Sequence, residues 1–116
     1  MKLNLEQNPR VFTVGNNIKI KDFGKIHLNN NEMVSFVQNN KEYNFVAKDW
    51  GFYASPSINA RLKREGFKTA LVVNEHNQLY IMVVDKDKIT KFKDYLKDNQ
   101  DNRIICWLDD FYKEEI

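Results

Sequence analysis

The sequence predicts an α+β domain with a mostly antiparallel sheet and two helices, at about 56–65 and 86–98. Three observations carry that prediction. Short runs of β-branched and aromatic residues recur between turns rich in Asn and Gly. Helical periodicity occurs in only two places. The element order βββββ-α-ββ-α-β groups strands instead of alternating them with helices, as antiparallel sheets require. At 116 residues the chain fits a single domain, 1–116, burying roughly two-thirds of its unfolded surface. Its 42% hydrophobic and 13% aromatic content belongs to globular chains.

Residues 1–10 read as a polar lead-in with Leu3 and Leu5 as isolated apolar contacts, ending at Asn8-Pro9. Val11-Phe12-Thr13-Val14 and Ile18-Lys19-Ile20-Lys21 have strand patterning, and Gly15-Asn16-Asn17 between them is hairpin chemistry. Asp22-Phe23-Gly24 reads as a break before a short strand at 25–28. Asn29-Asn30-Asn31 then turns the chain into Met33-Val34-Ser35-Phe36-Val37, and Gln38-Asn39-Asn40-Lys41 turns it into a strand at 42–48. Tyr43, Phe45 and Ala47 alternate on one face of that strand.

In the first helix, Ser55 is the expected N-cap, Pro56 the first helical residue and Gly66 the stop. Ile58 and Leu62, four apart, face the core. Beyond it, 67–73 reads as a buried strand that turns at Asn74-Glu75-His76-Asn77-Gln78 into 79–84. Asp85 caps the second helix, whose buried stripe is Ile89, Phe92 and Leu96 and whose outer face is lysine. A loop at 99–102, a last strand at 103–107 and an acidic tail at 109–116 complete the chain.

The unusual chemistry lies in Asp49-Trp50-Gly51-Phe52-Tyr53-Ala54-Ser55-Pro56-Ser57-Ile58-Asn59-Ala60-Arg61-Leu62. A helix N-terminus offers free amides and partial positive charge to a phosphate or carboxylate. Trp50, Phe52 and Tyr53 could wall a base or sugar face, with Ser55 and Ser57 at the anion and Asn59 and Arg61 fixing orientation. The structural reading of the same residues makes the aromatics core, Ser55 and Pro56 caps, and the arginines solvated. No catalytic residue is assigned: Asp49, beside Trp50 at a strand-to-loop junction, could be desolvated enough for a general base, and could equally be an exposed turn residue or pair with Lys48, Arg61 or Lys68.

Other chemistries find little footing. His27 and His76 have no second ligand at zinc spacing, so no metal and no cofactor are expected. Four dispersed glycines make no phosphate loop. A balance of 18 basic and 16 acidic residues argues against nucleic acid, and against an anionic membrane, as partner. The lone Cys106 lies in an apolar run and suits a buried thiol in a reducing compartment. With no apolar signal core at Met1-Lys2-Leu3-Asn4-Leu5-Glu6, and no run long enough to span a bilayer, the expectation is a cytoplasmic protein.

Asn31-Glu32-Met33-Val34-Ser35-Phe36, the stretch from Asp49 to Leu62, Gly66-Phe67-Lys68-Thr69-Ala70-Leu71-Val72 and Ile105-Cys106-Trp107-Leu108 together resemble a group of small uncharacterised bacterial proteins. These are encoded among genes of surface-polysaccharide and acidic-sugar biosynthesis. The resemblance covers about 25–108 and implies a cytoplasmic accessory role near nucleotide-sugar metabolism, without an activity or catalytic residues to carry over. Two functions follow as expectations. One is a non-catalytic binding module for an anionic or sugar-bearing small molecule at 50–61. The other is a protein-interaction subunit, as a homo-oligomer or with a biosynthetic enzyme, because interfaces also favour aromatics and Arg. Single-stranded nucleic-acid binding ranks third.

Overall fold

The structure, a computed structural model, describes residues 1–98 and 101–111. Residues 99 and 100 of the loop and residues 112–116 of the acidic tail lie outside that set. The architecture is α+β and mostly antiparallel. The chain divides into two compact units, Met1–Ser55 and Pro56–Ile116.

The N-terminal unit is all β. Strands β1 (Lys2–Val14) and β2 (Ile18–His27) form a two-stranded antiparallel ribbon, while β3 (Met33–Gln38), β4 (Lys41–Lys48) and β5 (Gly51–Ala54) form a three-stranded sheet in that order. Asparagine makes the turns. Asn17, Asn31, Asn39 and Asn40 all have positive φ, a region that Asn enters more readily than other residues with a Cβ. Asn39 and Asn40 are the two loop residues between the paired Gln38 and Lys41, so both central positions of that hairpin are left-handed.

The ribbon is longer than the expected pair of short strands. β1 starts at Lys2, and β2 runs unbroken through Asp22-Phe23-Gly24. A shift in register between Leu5/Gly24 and Arg10/Asp22 sets residues 6–9 of β1 against Phe23 alone, and the segment includes Pro9, which cannot donate to a ladder. Gly24 makes the continuity possible. Its φ is +120°, and a Cβ there would lie 2.0 Å from the Asn4 carbonyl oxygen. The Asp22 carboxylate accepts from the Gly24 N–H at 3.0 Å and from Arg10 at 3.1 Å, locking the bulge. β5 is a further strand in a stretch expected to be loop.

In the C-terminal unit, α1 (Arg61–Arg64) precedes β6 (Phe67–Val73) and β7 (Leu79–Asp85), then α2 (Ile89–Asp98) and β8 (Arg103–Trp107), giving the sheet order β7-β6-β8. Both outer strands run antiparallel to β6, so β7 and β8 are parallel and α2 connects them. Asn74 closes the β6–β7 turn by accepting the N–H groups of His76 and Gln78 through Oδ1. Asp85 accepts from the Asp87 N–H and starts the 3-10 turn Lys86–Lys88 that leads into α2. Ala70, Val72 and Leu96 form the core, with Met82, Phe92, Ile104 and Trp107 packed on it. Burial of a side chain such as Leu96 stabilises by about 1.5–3 kcal/mol, and the α2 stripe faces the sheet as its spacing requires. Cys106 is a half-buried free thiol in β8.

The start of the acidic tail is structural. The turn Leu108–Asp110 buries Asp109, whose carboxylate accepts from the Thr69 N–H at 3.0 Å and from Lys68 Nζ at 2.8 Å.

Candidate functional site

The aromatic segment is built by strand pairing. β4 leaves its sheet at Lys48, Asp49 and Trp50 make a two-residue turn, and Gly51 pairs back with Lys48 at φ +142°. The Asp49 N–H donates to Asn30 Oδ1 at 3.0 Å, and Lys48 Nζ donates to Asn31 Oδ1, so the asparagine turn before β3 holds this second turn. Asp49 itself is exposed.

Side chains alternate across a strand, and this alternation separates the three aromatics. Phe52 pairs with Ala47 and shares the face of Phe45 and Val34, whereas Tyr53 pairs with Val46 and faces the other way. Trp50 stacks on Tyr53, with ring centroids 6.2 Å apart and planes 18° apart. The expected single wall of Trp50, Phe52 and Tyr53 is therefore two surfaces. One is an exposed Trp50–Tyr53 platform; the other is an apolar groove of about 370 Å³ lined by Ile26, Leu28, Val34, Phe36, Phe45 and Phe52. Trp50 is 68% and Phe52 67% exposed, so neither ring is core.

The remaining residues follow from a late helix start. The Ser55 N–H donates to the Asn44 carbonyl at 2.9 Å, which extends the sheet register instead of capping a helix. Pro56 is buried. No side chain caps α1 at its flanking residue, Ala60; Ser57, in the turn before it, accepts the Arg61 N–H through Oγ at 2.9 Å and the Leu62 N–H through its carbonyl at 2.9 Å. Helix α1 is thereby reduced to four residues, with Ile58, Asn59 and Ala60 in turn geometry before it. Two amides expected to meet an anion are spent on Ser57. Arg61 Nε lies 3.8 Å from Glu65 Oε1, one helical turn on. Trp50, Phe52, Tyr53 and Ser55 belong to the N-terminal unit, and Ser57, Asn59 and Arg61 to the C-terminal one.

Electrostatics in the N-terminal unit mark turns. Asp22 is held below the usual carboxylate range first by the Gly24 N–H and then by Arg10. Glu32 is lowered by the Asn29 N–H and then by the amino terminus, 3.1 Å away. Burial pushes the Tyr43 phenol up, so it stays neutral. Among the described residues, no group of three or more His, Cys, Asp or Glu side chains converges to hold a metal, and no helix is long and apolar enough to cross a membrane.

The groove was not foreseen from the sequence. Its signal was present in the alternation of Val34 and Phe36 in one strand and of Phe45 in the next, which put three apolar side chains on one face. Missing was the knowledge that the end of β2 brings Ile26 and Leu28 to the same groove. Comparison of the chain with protein-family models, with curated proteins and with solved structures finds no match in any of the three.

Proposed function

We propose that the protein is a non-catalytic interaction module whose N-terminal unit engages a polypeptide through the apolar groove around Phe36, Phe45 and Phe52. The observation that carries this reading is the exposure of large apolar side chains on a framework of paired strands: Phe36 on β3 is 53% and Phe52 on β5 67% exposed, on the same face of the sheet and lining the same groove. Contiguous exposed apolar surface of this kind marks interaction sites, and aromatic side chains dominate interface energetics. Such a module fits the accessory role in surface-polysaccharide metabolism that the sequence resemblance implies.

A photo-crosslinking amino acid in place of Phe52, in the cells that produce the protein, tests the proposal. The expected result is a discrete polypeptide adduct that is lost with Phe36→Lys. Crosslinking no greater than at an exposed control position such as Lys91 overturns it.

The stacked Trp50–Tyr53 pair favours a second reading, a small molecule with a sugar face laid on that platform. A melting-temperature rise with acidic sugars or nucleotide sugars that disappears in Trp50→Ala supports it. The lack of any such rise in the intact protein removes it.

A further inference from the structure

We infer that the β1–β2 ribbon is a dimerisation arm, and that its occupant is the ribbon and groove of a second copy of this chain; the inference rests on the interaction reading above and names the partner. The register makes the ribbon two-sided. Paired residues share a face, so Val14/Ile18, Phe12/Ile20, Arg10/Asp22 and Leu3/Ile26 lie on one side, together with Leu5 opposite Gly24. Lys2, Lys19, Lys21, Lys25 and His27 lie on the other, where Val11 and Phe23 are the apolar exceptions. The apolar side is uncovered. Leu3 is 53%, Leu5 59%, Ile20 40% and Ile26 42% exposed. A ribbon of two strands is marginal in water by itself and needs a third strand or a packed face.

Three features point to a second copy. The first is charge. Lysines on the reverse side are turned away from whatever the apolar side meets, which suits packing of two like apolar faces and not contact with an anionic bilayer. The second is the pattern along the apolar face. A tip cluster (Phe12, Val14, Ile18, Ile20) and a base cluster (Leu3, Leu5, Ile26) flank the Arg10–Asp22 ion pair, whose N and O atoms are 3.1 Å apart. A two-fold axis between two ribbons at the level of that pair lays each tip on the other copy's base. It also gathers two arginines and two aspartates into one neutral group.

The third feature is area. The residues of the two clusters expose roughly 550 Å², and Phe36 and Phe52 in the adjoining groove bring the surface on offer to about 800 Å², enough at full burial to match one partner's share of a standard stable interface. Ile26 belongs to both the base cluster and the groove, so the surface is continuous.

Sedimentation equilibrium of the full chain tests the arm. The expected result is a mass rising with concentration to twice the 13.8 kDa of one chain. Ile20→Lys, the tip-cluster position next to the Arg10–Asp22 pair on the two-fold axis, weakens this association by about a hundredfold, as loss of a central interface anchor does. Arg10→Asp and Asp22→Arg each sediment as single chains, and their equimolar mixture recovers the doubled mass. That recovery also shows that both variants fold. A wild-type protein that stays a single chain at every concentration overturns the inference, as does a dimer indifferent to Ile20→Lys or a mixture that does not reassociate. The two proposals fail separately. An adduct at Phe52 with a protein of different mass leaves the interaction reading standing and removes the second copy.

Discussion

Lys68 Nζ lies 2.8 Å from Asp109 Oδ2, and the Asp109 side chain is entirely withdrawn from solvent while Lys68 keeps 24% of its exposure. The carboxylate's other oxygen takes the Thr69 N–H, and Lys68 also sits 5.0 Å from the centre of the Trp107 ring. One buried acid therefore ties the chain after β8 to the start of β6. Removing it leaves a buried N–H without an acceptor and Lys68 with one carboxylate fewer. Asp109→Ala is expected to lose about 3 kcal/mol of stability in urea unfolding. Asp109→Asn keeps an acceptor for Thr69 and should lose less; an Ala variant as stable as wild type contradicts this role.

The same cluster sets a pH dependence with opposite signs at its two ends. Asp110 is held below its ordinary 3.8 first by Lys63 and then by Lys68, as Asp22 and Glu32 are lowered in the other unit. Depressed carboxylates contribute stability that is present above the unfolded value and lost as pH falls through the folded one. Lys68 is raised above 10.5, chiefly by Asp109, so its contribution is full below that value and is lost as pH rises through the folded one. Urea midpoints should thus be level through neutral pH, fall below about pH 4 and fall again above about pH 10.5. In Asp110→Asn the acid-side fall should shrink.

Thr69 makes a contrary prediction. Its side chain is buried, and Oγ1 has no hydrogen-bond partner among the described residues. A buried hydroxyl without a partner carries its desolvation cost uncompensated. Thr69→Val, which keeps shape and β-branching, should raise stability by about 1 kcal/mol, read as an increased urea midpoint at unchanged slope. A decrease of similar size would mean that the hydroxyl is satisfied in solution.

Gly24 controls the ribbon. With φ at +120° and the Asn4 carbonyl where a Cβ would sit, Gly24→Ala must break the local pairing or shift β1. Amide exchange at Leu3, Leu5 and Ile26 should quicken by tenfold or more, while exchange in β6, in the other unit, stays unchanged. Equal acceleration in both would show that the two units open together.

What the sequence made legible tracks how local each determinant is. The β6–β7 hairpin and α2 were readable because Asn74, Asp85 and the Ile89, Phe92, Leu96 stripe act within a few residues of themselves. The ribbon was underestimated because its continuity depends on Asn4 meeting Gly24, twenty residues away, which no window of periodicity contains. The helix starts at Arg61, five residues beyond the expected Pro56, because the Ser55 N–H joins the sheet at Asn44 and Ile58–Ala60 stay in turn geometry, a long-range pairing that the Ser55-Pro56 cap signal does not contain. In the sequence Asp109 is only the first residue of an acidic tail, because its partners, Lys68 and Thr69, are about forty residues upstream. The aromatic segment was found, but its division into two faces depends on residues 51–54 being a strand.

That division separates function from stability in the 50–62 stretch. Trp50 is 68% exposed and touches Tyr53, whereas Leu62 is fully buried against its unit's sheet. Truncating an exposed ring changes stability by no more than about 0.5 kcal/mol, while Leu→Ala at a sealed site costs about 2–5 kcal/mol through lost burial and the cavity left behind. Trp50→Ala should therefore melt within a degree or two of wild type, and Leu62→Ala far below it. The same contrast fixes what a binding assay means. A loss of ligand or partner in Trp50→Ala, at unchanged melting temperature, belongs to the platform itself. A Trp50→Ala protein that melts as low as Leu62→Ala would instead make the ring part of the core, and with it remove the exposed-platform reading.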